Sequence, residues 1–105
     1  MINALLYLRN GELCGFEISG HSTVNEDDFE GKLVCSAVSS AAIMTANTIT
    51  EIVCDSASVE TYDGYLRVIC DDENACSDLL YGFKLHISAL RDEYPERIRL
   101  TIKAE

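Results

Sequence analysis

The chain has 105 residues, 8 basic and 18 acidic side chains, a formal net charge of −10, and 48% hydrophobic residues. That is enough chain for a single domain with one modest core, expected over residues 1–105. The acidic balance and the lack of a basic cluster argue against direct nucleic-acid binding, and no run approaches the roughly 20 apolar residues of a membrane span.

Ile2 to Arg9 is rich in apolar residues and ends at Asn10-Gly11, a strong two-residue hairpin signal. Glu12 to Ser19 follows as the return strand, with Cys14, Phe16 and Ile18 expected on one face and Leu13, Gly15 and Glu17 on the other. Gly20 to Lys32 reads as a loop carrying the acidic run Glu26-Asp27-Asp28-Phe29-Glu30-Gly31, a solvated stretch on its charge alone. From about Val34 to Val53 the apolar residues fall at three- and four-residue steps, which predicts a helix with a narrow face rich in small residues.

Ser58–Tyr62 and Tyr65–Asp71 flank Asp63-Gly64, a second turn compatible with type I′. Leu66, Val68 and Cys70 alternate with Tyr65, Arg67 and Ile69. Asp71-Asp72-Glu73 suits a helix N-terminus, where negative charge opposes the helix dipole. Leu79, Leu80, Phe83, Ile87, Leu90 and Tyr94 then form the stripe of a second helix, which Pro95 stops. A last strand runs from about Arg97 to Lys103. The order is ββαββαβ, which predicts an α+β fold: a mostly antiparallel sheet with two helices packed on one face.

Two residues carry candidate chemistry. His21 ends the second strand, and Cys35 sits at the expected first turn of the first helix. Thiolate rather than thiol attacks a carbonyl, so a catalytic cysteine needs a partner to ionise it. Unpaired N–H groups at a helix start favour the anion, and those near Ser36 are the expected oxyanion donors. An imidazole can take the thiol proton and return it to the leaving amine. Ser39 shares a helix face with Cys35. Gly20 lets the chain turn, either through a positive φ or by close backbone approach.

The bland reading is that a cysteine in an apolar run is a core residue. Cys14 and Cys70 read that way. Five cysteines, odd in number and without a CxxC pair, together with a start that lacks a basic leader, suit a cytoplasmic chain with free thiols. No cofactor is called for. Cys70, Cys76 and His86 lack the spacing of a metal site.

The segments Ile18-Ser19-Gly20-His21 and Leu33-Val34-Cys35-Ser36-Ala37-Val38-Ser39 resemble the two signature segments of the ribosomal-processing cysteine protease family, Prp. Chain length, element order and the closing Glu96-Arg97-Ile98-Arg99-Leu100 are similar too. The resemblance implies a cysteine endopeptidase that removes the amino-terminal extension of a bacterial large-subunit ribosomal protein (bL27). Cys35 would be its nucleophile, His21 its base and acid, and the assembly a homodimer. A basic ribosomal substrate would be attracted to Glu26, Asp27 and Asp28. Ser22 follows the histidine where the family has alanine, the loop is slightly longer, and Lys32 stands where the family has aspartate. A lysine there would favour thiolate, whereas a missing aspartate would suit a second reading: a catalytically weak binding module for a ribosomal protein or nascent chain.

Overall fold

The computed structural model describes residues 1–21 and 25–105. Ser22, the departure beside His21, lies outside the described residues. The elements are β1 (Ile2–Arg9), β2 (Glu12–Ser19), α1 (Phe29–Asn47), β3 (Ser58–Tyr62), β4 (Tyr65–Ile69), α2 (Glu73–Glu93) and β5 (Ile98–Ala104). One five-stranded sheet has the order β3-β4-β2-β1-β5. Only the β1–β5 pairing is parallel, so the sheet is mostly antiparallel, as expected.

Both helices pack on one face. Val34, Val38 and Ala42 of α1 and Leu80, Phe83 and Ile87 of α2 share a core with Ile2, Ala4, Leu6, Phe16, Ile18 and Val68. The Phe16 and Phe83 rings sit 4.6 Å apart in a tilted pair, within the range where aromatic pairs attract.

The alternation expected for β2 fails at one place, for a physical reason. Tyr7 pairs with Gly15 but Leu8 pairs with Leu13, so the register slips by one residue at Cys14. Such a bulge turns the strand over. Leu13, Phe16 and Ile18 therefore face the helices, while Cys14 joins Tyr7 and Ile69 in a small cluster on the other face. Cys14 is buried all the same.

The first turn has positive φ at both Asn10 and Gly11 (54° and 77°), as type I′ requires. The second does not. Gly64 has φ 71°, whereas Asp63 is absent from the positive region, so this turn is not type I′.

The first helix begins earlier than its apolar pattern indicates. Asp28 is its N-cap, accepting a hydrogen bond from the Gly31 amide at 3.1 Å. The acidic run is thus partly a helix start, where carboxylates satisfy free amides and oppose the dipole. Past Asn47 the helix continues as a π-helical turn, Thr48–Ile52. The whole stretch Phe29–Ile52 has 24 residues and a window of mean hydropathy 1.4. By length and composition it could cross a membrane, contrary to the sequence expectation. In this fold it is a core helix with one face against the sheet.

Candidate active site

Gly20 follows β2 with φ 86°, and a side chain there would run into the Met1 carbonyl. Both reasons anticipated for a glycine therefore apply. The Gly20 amide donates to the Gly64 carbonyl at 3.1 Å, which ties the end of β2 to the β3–β4 turn. His21 follows, its carbonyl accepting from the Met1 nitrogen at 2.6 Å. Its imidazole lies close against the bare α-carbon of Gly64. A Cβ built on Gly64 would stand only 2.8 Å from His21 Nε2.

Cys35 is half-buried on α1 and packs against the core. It lies six residues beyond the first helical residue, Phe29, close to two turns in. The expectation of Cys35 in the first turn is therefore corrected, because the Asp28 cap moves the helix start forward. The expected oxyanion donors fall with it. An amide at Ser36 belongs to the helical hydrogen-bond ladder, not to its unpaired start.

His21 and Cys35 open onto one cavity of about 450 Å³. Gly20 and Ser39 line it too, with Ser39 exposed one turn beyond Cys35. Ser36 instead faces a shallower groove beside Ser40 and Met44. The opposite wall comes from the β3–β4 hairpin: Thr61, Tyr62, Asp63 and Gly64. The sequence reading identified that turn but not its place in the site. Nothing local in residues 62–64 announces that β4 pairs with β2, which is what brings the hairpin to His21.

The acidic residues divide. Asp28 accepts a two-pronged hydrogen bond from Arg97, at 2.7 and 2.9 Å, and Arg97 also donates to Glu30 at 3.0 Å. Such forked pairs are strong and fix geometry. The Asp28 side chain is only 10% exposed, which makes it a fastening of α1 to the start of β5. Gly31 lies under this fork, where a side chain would strike the Asp28 carboxylate. Glu26 and Asp27 are exposed. The Lys32 ammonium donates to the Glu26 carbonyl, so it reaches back to the loop. Neither Glu26 nor Asp27 lines the cavity among the described residues.

A histidine and a half-buried thiol line one cavity on a mostly antiparallel sheet with two helices, an arrangement with the side-chain types that cysteine hydrolase chemistry uses. The family described as "Cysteine protease Prp" matches residues 1–99. The chain belongs to that family and is a cysteine protease. Its fold is similar to that of the essential ribosomal processing protease Prp from S. aureus with a covalently linked product peptide, at 21% identity and TM-score 0.85, covering 98% of this chain and 100% of that one. The same protease with a substrate peptide gives 18% identity and TM-score 0.84, with 98% and 100% covered. SMU.848 from Streptococcus mutans is 26% identical, with TM-score 0.82 and 100% and 96% covered. No curated protein gives a significant match.

Proposed function

We propose that Cys35 and His21 are the catalytic pair of an endopeptidase that removes the amino-terminal extension of the large-subunit ribosomal protein bL27. The observation that carries this is that both side chains open onto one cavity, within a family of cysteine proteases. The S. aureus relative is a ribosomal processing protease, which supports the substrate class.

In this reading His21 takes the Cys35 proton, the sulfur adds to the scissile carbonyl, and the C–N bond breaks as His21 protonates the departing amine. Water then cleaves the thioester, giving its proton to His21 and restoring the thiol. Ser39 and Gly20 shape the cavity wall, and exposed Glu26 and Asp27 attract a basic substrate before it docks. Asp28 acts indirectly, by fixing the helix that carries Cys35.

The working form is a cytoplasmic homodimer. Five cysteines without a disulfide support the compartment. Ile43 and Met44 of α1 and Ile52 of the π-helical turn, all exposed along one groove, support self-association.

The test is cleavage of a peptide spanning the amino terminus of the host's bL27, read by mass spectrometry. Wild type cuts at one bond, Cys35→Ala and His21→Ala do not, and Cys35→Ala still binds the peptide. Cleavage by Cys35→Ala would remove the assignment. An intact peptide with wild type would remove the substrate.

A further inference from the structure

Away from that cavity, three segments converge: the connection between α1 and β3, the end of β4, and the first turn of α2. Each contributes one side chain. The donor atoms of Asp55, Cys70 and Cys76 all lie within 4.8 Å of one another. None of the three lines the His21–Cys35 cavity. Cys70 and Cys76 are 1% and 0% exposed, whereas Asp55 is partly open to solvent.

Asp55 is placed there against local preference. The helix before it closes with a π-helical turn, a form that is rare and concentrated at functional positions. Cys54 then adopts φ 59°, a left-handed conformation that costs an L-residue roughly 1–2 kcal/mol. The result aims the Asp55 carboxylate at the loop between β4 and α2. One oxygen accepts from the Asp71 amide at 2.8 Å and the other from the Asp72 amide at 3.0 Å. Amide bonds of this kind hold and orient a ligating carboxylate from outside the metal's own shell.

We infer that Asp55, Cys70 and Cys76 form a three-ligand binding site for one zinc-class ion. Tetrahedral zinc with Zn–S of about 2.3 Å and Zn–O of about 2.1 Å sets its sulfurs about 3.8 Å apart, and sulfur and oxygen about 3.6 Å apart. The donors, all within 4.8 Å of one another, would have to close to that spacing on binding. Two thiolates select a borderline-soft ion over magnesium or calcium, which demand oxygen. The fourth position goes to water, admitted on the open side of Asp55. Binding is balanced by proton release: two thiols and one carboxylate take up the dication, two S–H protons leave to buffer, and the site carries one net negative charge. The ion would join the α1–β3 connection, the residue after β4 and the first turn of α2 at one point.

The test uses the full chain, metal-free and kept reduced with a phosphine, in a Cys35→Ala background so that the protease thiol is silent. Titration with Co²⁺ is expected to show thiolate-to-metal charge-transfer absorption and tetrahedral d–d bands at one ion per chain, with two protons released. Zn²⁺ is expected to displace the cobalt. Cys76→Ala and Asp55→Asn are each expected to weaken binding at least about tenfold. No charge-transfer band, or binding unchanged in both variants, would overturn the site and leave two core thiols. X-ray absorption on the zinc-loaded Cys35→Ala protein decides the matter if Cys76→Ala fails to fold: fewer than two sulfurs around zinc refutes it.

Discussion

Gly64→Ala separates the placement of His21 from the stability of the fold. Gly64 has φ 71°, and an added Cβ would lie 2.8 Å from His21 Nε2, where ordinary contact begins at 3.4 Å. The imidazole must therefore retreat by at least the difference, about 0.6 Å. A misplacement of about 1 Å can cost about a hundredfold in rate, so a shift of this size corresponds to roughly a tenfold loss of kcat/KM, or about 1.4 kcal/mol of transition-state stabilisation. The substitution also carries a backbone penalty of roughly 1–2 kcal/mol for a left-handed L-residue. Gly11→Ala isolates that second effect, because Gly11 has φ 77° in a hairpin turn and nothing within 4 Å of its would-be Cβ. Both variants should melt lower by similar amounts, and only Gly64→Ala should cleave the peptide slowly at a temperature where both are folded. Full activity in Gly64→Ala would refute the reasoning, since the ring could then leave its present position at no cost to catalysis. Equal losses in both variants would assign the effect to backbone strain.

Three further outcomes follow from single contacts. Arg97→Ala removes both prongs of the fork on Asp28 and the bond to Glu30; it should lower Tm and speed amide exchange over Phe29–Lys32. Arg97→Lys should restore only part of this, because an ammonium cannot form the fork. Cys54→Gly should raise stability by about 0.5–1 kcal/mol in denaturant unfolding, the relief of a left-handed L-residue less the added freedom of glycine in the unfolded chain. Tyr65 donates to Glu17 at 2.8 Å, and that carboxylate pushes the phenol from its ordinary 10.0 up to about 12. A raised folded-state pKa gives stability that is complete below pH 10 and fades as pH climbs towards 12. Tyr65→Phe should flatten the part of the alkaline decline that lies in this window.

Much of the fold was legible because its signals are local. Asn10-Gly11 and Asp63-Gly64 mark turns wherever they sit, and the stripe from Leu80 through Phe83 to Ile87 reads as a helix face without knowledge of a partner. The bulge at Cys14 was not legible, since it depends on how Tyr7 and Leu8 pair across the hairpin. The helix start at Phe29 was misplaced for the opposite reason. Its apolar periodicity begins only at Val34, and the decisive feature is a cap whose carboxylate is also held by Arg97, far along the chain. That one error changes the chemistry of the site. The field of a helix terminus falls away within its first turn, so a cysteine nearly two turns inside gains little from it. In the proposed mechanism activation of Cys35 then falls to His21, whose position is set by the Gly64 carbonyl bonded to Gly20 and by the bare Gly64 α-carbon beside its ring. The β3–β4 hairpin, which carries no catalytic side chain in this reading, is thereby the element on which the geometry of the pair most depends.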